Sequence, residues 1–410
     1  MKSFLKKIIS WRLVNLLWHL PKSVAASLLY GFPARKLIFI AVSGSKGKTS
    51  TAYFLNHILT AAGTKSALFT TAALSIAGSQ ELNTLKLTTP TPFFLQKFLR
   101  RALEAHCTHA VIEVSSHALK QYRVWGIPFS VVILTNLMSD HLEYHANADE
   151  YRTIHKRLIT KNTSALVLNG DDQNEQAFKE LPVKKIVVSK NSKDFTKLYE
   201  NHLAIRGEFN IMNLCMACAA AKTLGIPEEA IHTSLTTLTN APGRMEYIRS
   251  DKPFDCIVDY AHSPDSLRTF FSAIRPSVQG RIIAVFGACG DRDPGTRPMM
   301  GQVLDTYADI IVVTNDDTYS EDPETIAVQL MKGITQKSPE TLYCILDRRS
   351  AISKALCLAQ QGDTVCILGK GAEQWQIIGT AKLPWDDRLI VKDLLAQPCA
   401  NTSADTDSTP

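Results

Sequence analysis

Two glycines followed by a lysine, a threonine and a serine give residues 44–50 the chemistry to bind a polyphosphate. Gly44 and Gly47 allow the backbone to approach phosphate oxygens, and N–H groups at the start of a helix opening at Lys48 point towards them. The Lys48 ammonium can neutralise phosphate charge, and the hydroxyl of Thr49 or Ser50 can hold Mg²⁺. An ordinary strand-to-helix turn is the alternative interpretation. The predicted phosphate loop consists of Gly44, Ser45, Lys46, Gly47, Lys48, Thr49 and Ser50.

A carboxylate and a group of metal-type ligands follow two further apolar runs. Glu113 lies inside the apolar run 110–114, where a charge is costly unless it is paired or bound to a metal. It is therefore a candidate Mg²⁺ ligand. Residues 140–145 place Asp, His, Glu and His after the strand predicted at 131–134, which indicates a metal or substrate site that includes His141.

Hydroxyls and one guanidinium form a third group. Thr88 and Thr89 stand before a proline and offer two hydroxyls to a ligand, although a helix start capped by Thr89 accounts for the pattern equally well. Ser115, Gln121 and Arg123 lie on a polar turn after the Glu113 run and are suited to an anionic substrate.

These groups require a scaffold in which apolar strands alternate with helices. Strands are predicted at 38–43, 110–114 and 131–134, and again at 256–259 and 282–286, each followed by polar residues. Polar clusters at the carboxyl ends of strands are typical of a doubly wound α/β sheet that binds ligands there. We predict an α/β protein with four segments: a basic amphipathic segment at 1–36, a P-loop-like central ATPase domain at 37–246, a Rossmann-like domain at 247–398 and a disordered tail at 399–410.

Composition narrows the function classes. The 410 residues include 45 basic and 39 acidic side chains, an excess too small to imply nucleic acid but compatible with small anionic substrates. Nine cysteines without a secretory signal indicate the reducing cytoplasm. Cys215 and Cys218 form a Cys-x-x-Cys inside an apolar helical run, so we predict core cysteines rather than a redox or zinc pair.

The amino-terminal 35 residues are basic and apolar. Arg12, His19 and Lys22 interrupt the apolar run before it reaches the length of a membrane span. Three alternatives remain: an amphipathic helix on a membrane surface, a helix packed on the first domain, and a surface for a partner.

Taken in order, these landmarks resemble the Mur ligases, and most closely their MurE type, the UDP-N-acetylmuramoyl-tripeptide synthetases. The resemblance covers about residues 38–393. The matching motifs are Thr88-Thr89-Pro90, Glu113-Val114-Ser115-Ser116-His117-Ala118-Leu119, Asp140-His141-Leu142, Asp259-Tyr260-Ala261-His262, Gly290-Asp291-Arg292-Asp293 and Ser320-Glu321-Asp322-Pro323.

The resemblance implies an ATP- and Mg²⁺-dependent ligase that adds the third stem residue to UDP-N-acetylmuramoyl-L-alanyl-D-glutamate through an acyl phosphate, in peptidoglycan synthesis. Thr49, Glu113 and His141 would bind metal, with Lys48 on the phosphates. The implied partners are small molecules without nucleic acid, and the protein would be a monomer. By the same resemblance, the muramoyl-dipeptide would contact Thr88, Thr89, Ser115, Gln121 and Arg123; the nucleotide would contact Asn210, Arg244, Asp259 and His262; the amino acid would contact Arg292, Asp316, Asp317, Tyr319, Gly369 and Glu373.

The sequence departs from the family at four places. Only 37 residues precede the first strand, where the family has a domain that grips the uridine nucleotide. The family's carbamylated lysine falls on His155, with Lys156 beside it, so His155 is a candidate catalytic residue. Tyr319 stands where diaminopimelate ligases have an arginine, which favours another amino acid such as lysine. Ala372 replaces a histidine.

Two other hypotheses remain open. The same scaffold could serve a related ligase, of Mur or folylpolyglutamate type, whose acceptor is lipid-linked, a folate or a polypeptide. A nucleotide-binding partner protein with altered catalysis is the second alternative.

Overall fold

The computed structural model describes residues 14–85, 87–137, 148–201 and 205–397, which divide into two compact units, Met1–Ala241 and Pro242–Pro410. The sequence placed this limit at about residue 246. Gly243 lies against the backbone of Gly371, and the first strand of the second unit starts at Glu246. The predicted cluster at 140–145, which includes His141, and the predicted tail at 399–410 lie outside the described residues.

The first unit is built on an eight-stranded sheet in the order β4-β3-β2-β5-β1-β6-β7-β8. The β2–β3 and β3–β4 pairs are antiparallel, and the other pairs are parallel. Its strands are β1 Ile38–Ser43, β2 Ser66–Phe69, β3 Ala73–Ile76, β4 Ser79–Leu82, β5 His109–Glu113, β6 Phe129–Leu134, β7 Ala165–Asn169 and β8 Lys184–Val188. Its helices are α1 Leu20–Leu29, α2 Lys48–Ala61, α3 Pro92–Glu104, α4 Ser116–Lys120, α5 Ala148–Lys156, α6 Lys193–Asn201, α7 Glu208–Thr223 and α8 Glu228–Leu235.

Both faces of this sheet are buried because β1 is apolar on each side. Phe39 and Ala41 belong to one core together with Leu99 of α3. Ile40 and Val42 alternate with them and belong to the core on the opposite face, which includes residues of α2 and α7. The predicted α/β fold class is confirmed in this unit, and the carboxyl ends of the parallel strands meet at one edge.

The second unit has a six-stranded sheet in the order β13-β12-β11-β14-β10-β9, parallel except for β10–β9, and a separate β15–β16 hairpin. Its strands are β9 Glu246–Tyr247, β10 Asp255–Asp259, β11 Ile282–Phe286, β12 Ile310–Val313, β13 Leu342–Cys344, β14 Thr364–Leu368, β15 Trp375–Ile378 and β16 Ala381–Pro384. Its helices are α9 Pro264–Ile274, α10 Thr296–Tyr307, α11 Pro323–Met331, α12 Arg348–Leu358 and α13 Asp387–Leu395.

A helical segment precedes the first strand. It consists of a π-helical stretch, Asn15–His19, that continues directly into α1, and a 3₁₀ turn at Pro33–Lys36 follows. In the part of the chain that the structure describes, no helix is long and apolar enough to cross a membrane.

Candidate active site

The phosphate loop joins β1 to α2 and depends on its two glycines. Gly44 and Gly47 have φ angles of 134° and 83°, in the left-handed region that disfavours side chains. A Cβ atom on Gly44 would lie 2.3 Å from Thr135 Oγ1, and one on Gly47 would lie 2.3 Å from Asn213 Oδ1. The loop therefore has room for neighbouring groups only because both positions lack a side chain.

The end of β6 holds the loop in place. The backbone N–H of Ser45 donates to the carbonyl of Asn136 (2.8 Å), and the N–H of Lys46 donates to Asn136 Oδ1 (2.9 Å). Thr135 Oγ1 and Asn136 Nδ2 donate to the carbonyl of Lys46 at 2.6 and 3.0 Å. Because two residues just after β6 supply these bonds, the sheet that carries the loop also holds its conformation.

The ammonium of Lys48 folds back over this loop. Its Nζ donates to the carbonyl oxygens of Gly44 and Ser45, both at 2.8 Å. The positive charge thus lies at the loop itself, beside the first turn of α2, where an anion is favoured by the helix N-terminus.

Glu113 ends β5, the strand beside β1, and its register partner on β1 is Val42. Its side chain is 2 % exposed. Oε2 accepts from Thr49 Oγ1 (3.0 Å), from Thr71 N (2.8 Å) and from Thr71 Oγ1 (3.1 Å). The buried carboxylate is therefore hydrogen-bonded to the first turn of the helix that follows the phosphate loop, and its role as a metal ligand stays a prediction.

A hydrogen-bonded chain leads from Glu113 to the residues predicted to bind the acceptor. Thr71 Oγ1 lies 3.1 Å from Thr88 Oγ1, and Thr89 Oγ1 donates to the backbone carbonyl of Glu113 (2.9 Å). The N–H of Ser115 donates to Thr89 Oγ1 (3.0 Å). Thr91 is the residue before α3, so the alternative in which Thr89 caps that helix is wrong.

Arg123 completes this group. Its NH1 donates to the carbonyl of Thr89 (2.7 Å), and its Nε and NH2 donate to Gln121 Oε1 (2.9 and 2.7 Å). Ser115 also caps α4, because its hydroxyl accepts from the N–H of Ala118 (3.2 Å). The structure therefore brings Thr88, Thr89, Ser115, Gln121 and Arg123 together with Glu113 and the phosphate loop.

The fully buried His155 lies on α5. Its Nδ1 lies 2.7 Å from the carbonyl oxygen of Tyr151, and the two ring centroids are 4.7 Å apart. Tyr151 connects His155 to the phosphate loop, since the Tyr151 hydroxyl lies 2.9 Å from Ser45 Oγ. Lys156 lies on a different side, with its ammonium 5.9 Å from the ring centre of Phe178. The catalytic role of His155 stays a prediction.

Asn210, predicted to contact nucleotide, lies buried on α7. Asn213 Nδ2 donates to Asn210 Oδ1 at 3.4 Å, and Asn213 is the residue that faces Gly47. Asn210 is therefore one side chain away from the phosphate loop.

Thr49 and Glu113 suit a magnesium ion, because a hydroxyl and a carboxylate are the hard oxygen ligands that Mg²⁺ prefers. Among the described residues there is no group of three or more His, Cys, Asp or Glu side chains able to hold a metal. The third predicted ligand, His141, lies outside the described residues.

In the second unit, Asp259 and the residues after it form a compact group at the end of β10. Asp259 accepts from the N–H groups of Met245 (2.7 Å) and Ala261 (2.8 Å). Burial raises the pKa of Asp259, although the nearby Arg244 guanidinium opposes this. The Arg244 guanidinium lies 4.5 Å from the ring centre of Tyr260, and the ring centres of Tyr260 and His262 are 4.6 Å apart.

A fully buried lysine joins three of the predicted acidic residues. Lys370 Nζ donates to Asp317 Oδ1 (2.7 Å), Glu373 Oε2 (3.1 Å) and Asp316 Oδ1 (3.3 Å). Burial alone would lower the pKa of Lys370, but the three carboxylates raise it above its ordinary value. The positive charge beside Asp316 and Asp317 is therefore supplied by a residue of the chain itself, and the N-cap of α11 is Asp322.

The other predicted amino-acid contacts lie around this cluster. Tyr319 has a φ of 49°, and its hydroxyl donates to Asp317 Oδ2 at 3.4 Å. Gly369 has a φ of 109°, and a Cβ there would lie 2.7 Å from Asp316 Oδ2. Arg292 lies exposed on the loop after β11. Arg292 is therefore the predicted contact most accessible to a substrate carboxylate.

Comparison with known proteins identifies the family. Residues 42–221 match "Mur ligase middle domain", and residues 243–371 match "Mur ligase, glutamate ligase domain". The chain belongs to the Mur ligase family. This confirms the family that the sequence motifs indicated.

Relatives of this Mur ligase are named UDP-N-acetylmuramoyl-L-alanyl-D-glutamate--2,6-diaminopimelate ligases. One from Thermosynechococcus vestitus is 37 % identical over 404 residues, which covers 91 % of this chain and 80 % of the relative. One from Aquifex aeolicus is 34 % identical and covers 90 % and 80 %.

Two solved structures share the fold of this Mur ligase. A structure of a ligase with the same name is similar at a TM-score of 0.63 and 29 % identity, covering 90 % of this chain and 82 % of that one. Mycobacterium tuberculosis folylpolyglutamate synthase, complexed with ADP and AMPPCP, has a TM-score of 0.67, covers 93 % and 96 %, and at 17 % identity shares the fold alone.

Four residues of this site were missed from the sequence. Thr71 follows β2 in an unremarkable Thr-Thr pair, and Asn136 follows the end of β6. Tyr151 and Lys370 also make contacts that no local motif announces. A general signal was present for two of them, because Thr71 and Asn136 stand just after the carboxyl ends of strands, where ligand sites form.

Proposed function

We propose that this Mur ligase uses ATP to join an amino acid to the D-glutamyl carboxylate of UDP-N-acetylmuramoyl-L-alanyl-D-glutamate. The observation that carries the proposal is the buried Glu113 carboxylate, which accepts from Thr49 after the phosphate loop and from Thr71 towards Thr88. One carboxylate is thus connected to the residues suited to phosphate and to those suited to the acceptor. The names of the relatives support the same acceptor for this chain.

The proposed reaction has two steps. A carboxylate oxygen of the acceptor attacks the γ-phosphorus of ATP, ADP leaves, and an acyl phosphate forms. The amine of the amino acid then attacks the acyl carbon, and phosphate leaves as the tetrahedral intermediate collapses. In the first step Lys48 and the N–H groups of the loop stabilise charge on the transferring phosphoryl group. Thr49 and Glu113 would hold Mg²⁺, which neutralises phosphate charge when bound.

The residues near Arg123 would position the acceptor. Its guanidinium carries positive charge beside Thr89 and Ser115 and is suited to an acidic substrate. In the second unit, Arg292 would receive the α-carboxylate of the incoming amino acid, and Asn210, Arg244, Asp259 and His262 would contact the nucleotide. We also place this reaction in the cytoplasm, which is consistent with the buried thiols of Cys107, Cys215, Cys218, Cys256 and Cys366.

Phosphate release tests the proposal directly. The wild type is mixed with ATP, Mg²⁺ and a UDP-linked acceptor, with each amino acid in turn, and a lipid-linked acceptor is tested in parallel. We expect phosphate release with the UDP-linked acceptor that depends on the amino acid. Release only with the lipid-linked acceptor, or none with either, would contradict the proposed acceptor.

Lys48→Ala isolates the phosphate loop within this experiment. Its turnover of ATP should fall by about a hundredfold or more, because one electrostatic contact to a transferring group is lost. The free energy of unfolding should change by only about 1 kcal/mol, since Lys48 is partly exposed. Lys65→Ala, an exposed lysine after α2, is the matched control and should keep wild-type turnover. Equal turnover in the two variants would remove the phosphate-loop assignment.

The amino acid is proposed from Tyr319. Its phenol cannot form the bidentate, charge-assisted pair that a guanidinium forms with a carboxylate, and in this structure it donates to Asp317. We therefore expect diaminopimelate not to be preferred through this contact, although the relatives are named for that amino acid. Competition between lysine and diaminopimelate at equal concentration decides the point. Clear incorporation of diaminopimelate would mean that another residue binds its distal carboxylate.

A further inference from the structure

The helical segment 15–29 has its large apolar side chains on the outside. Its buried residues are small or polar, namely Asn15, Ser23, Ala26 and Ser27, and α1 packs through them beside α3. Five large apolar side chains of the segment are exposed, Leu16, Leu17, Trp18, Leu28 and Leu29, and we call them the outer apolar face. Leu17, Leu28 and Leu29 are 66 %, 61 % and 69 % exposed. Packing within the first unit therefore does not explain why large apolar side chains occupy these positions.

The outer apolar face is continuous along the helix. Leu17 and Leu28 are eleven residues apart, as are Trp18 and Leu29, and eleven residues make about three turns of a helix. The two groups thus lie on the same side. The hydroxyls of the buried serines are hydrogen-bonded within the helix, because Ser23 Oγ and Ser27 Oγ donate to carbonyls one turn earlier, at 3.1 and 2.9 Å.

The sequence on either side of this face contains basic residues and no acidic residue. The first 80 residues contain no Asp or Glu. Seven of the 45 Lys and Arg residues lie in residues 1–36, whereas residues 37–410 hold the other 38 together with all 39 acidic residues. The net charge of +6 is therefore a property of the amino-terminal 36 residues alone. Lys22, Arg35 and Lys36 are exposed, and the ammonium of Lys22 lies 3.8 Å from the ring centre of Trp18.

We propose that the outer apolar face docks this protein on the surface of a bilayer that contains anionic phospholipid. Exposed leucines and a tryptophan beside lysine and arginine match the acyl-chain and headgroup layers of such a surface. A second copy of the chain is a poorer fit, because it would bring the same positive charge to the interface. Nucleic acid is a poorer fit because leucines offer it neither stacking nor hydrogen bonds.

Vesicle flotation with the full chain tests this docking, and its result does not depend on ligase activity. Binding is measured to vesicles of phosphatidylcholine mixed with phosphatidylglycerol and to vesicles of phosphatidylcholine alone. We expect binding to the anionic vesicles, at least tenfold weaker binding to the neutral ones, and a further loss when salt rises from about 0.1 M to about 0.5 M.

Two variants assign the binding to this helix. Leu28→Ser/Leu29→Ser should weaken vesicle binding at least tenfold, whereas the matched control Leu383→Ser/Leu389→Ser, which alters two exposed leucines of the second unit, should not. Lys22→Glu should weaken binding about tenfold, and Lys332→Glu, an exposed lysine elsewhere, should have little effect on it. All six substituted residues are exposed, so the four variants should fold, which circular dichroism checks.

Four outcomes would overturn the proposal. These are no binding of the wild type to anionic vesicles, equal loss in the control variants, displacement from vesicles by polyuridylate at stoichiometric concentration, and a concentration-dependent dimer that Leu28→Ser/Leu29→Ser abolishes. The third outcome would assign the face to nucleic acid, and the fourth would assign it to a second copy.

Discussion

Replacing Glu113 by glutamine keeps the side-chain shape and removes its charge. The Oε2 atom accepts three hydrogen bonds, two from Thr71 and one from Thr49. A hydrogen bond to a charged group contributes about 1.5–3 kcal/mol and a neutral one about 0.5–1.5 kcal/mol, so three weakened bonds cost roughly 3–4 kcal/mol. The neutral amide recovers part of this, since a buried amide is less costly than a buried carboxylate. We expect the free energy of unfolding to fall by about 2 kcal/mol or less.

The larger effect of Glu113→Gln should be on the magnesium requirement. Because a carboxylate ligand is lost, the Mg²⁺ concentration that gives half the maximal rate should rise by about tenfold or more. The assay is the initial rate of ADP formation against Mg²⁺ concentration at saturating ATP, with urea unfolding of the same preparation. A folded variant with the wild-type Mg²⁺ dependence would refute this reasoning and make Glu113 a structural residue.

Asp305→Asn is the matched control for this experiment. Asp305 is also buried, and its Oδ2 accepts from Thr335 N (2.9 Å), Gln336 N (3.1 Å) and Thr335 Oγ1 (3.3 Å). It lies in the second unit, outside the predicted site residues. A comparable loss of stability without a change in Mg²⁺ dependence is expected, which separates the cost of a lost buried charge from the loss of a metal ligand.

Three further changes test other parts of the structure. Gly47→Ala should abolish ATP turnover because the added Cβ has no room. The control Gly63→Ala, just after α2 with a φ of 81° and open space around it, should lower the free energy of unfolding by about 1 kcal/mol and keep ATP turnover. Equal turnover in the two variants would contradict this prediction. Glu321→Gln should destabilise the second unit by about 3 kcal/mol at neutral pH, because it removes the partner of the buried Arg297. Arg297 lowers the pKa of Glu321, so the stabilisation by this ion pair is present above pH about 4.5 and is lost as pH falls through the lower folded-state pKa. Urea unfolding at neutral and at acidic pH should therefore show a smaller loss of stability on acidification in Glu321→Gln than in the wild type. An equal loss in the two proteins would contradict the proposed role of the Arg297–Glu321 pair. Cys215, whose pKa burial raises to about 12, should resist iodoacetamide in the native protein at pH about 8 while exposed cysteines react; mass spectrometry would reveal the opposite.

Many strands and loops of the scaffold could be predicted from the sequence because short local patterns specify them. The apolar run at β1, the glycines after it and the carboxylate of Glu113 each carry their signal within a few residues, and parallel strands bring their ends to one edge. The antiparallel β3 and β4 and the β15–β16 hairpin were missed, since they are four residues long and only partly apolar.

Contacts between distant parts of the chain explain the remaining differences. Asp316 and Asp317 lie more than fifty residues before Lys370 in the sequence, yet the Lys370 ammonium pairs with both of them from the end of β14. The sequence around Thr89 is equally compatible with a helix cap. In the structure its hydroxyl donates to the carbonyl of Glu113, because β5 lies beside it. In both cases the sequence contained the right polar groups, and the sheet order decided their partners.

The carboxylate of Glu113 is shared between the hydrogen bonds on the phosphate side and those on the acceptor side of the first unit. Thr49 lies on the phosphate side of Glu113, and Thr71, which continues to Thr88, lies on the acceptor side. A change in the charge of Glu113 therefore alters both sets of hydrogen bonds, whereas Lys48 contacts only carbonyls of the phosphate loop among its described hydrogen bonds. If the proposed function holds, Lys48→Ala should act mainly on the ATP step, and Glu113→Gln should also change the KM of the acceptor. The two variants thus separate charge neutralisation at the phosphates from the coupling of ATP to the acceptor, because Glu113 belongs to both networks of described hydrogen bonds.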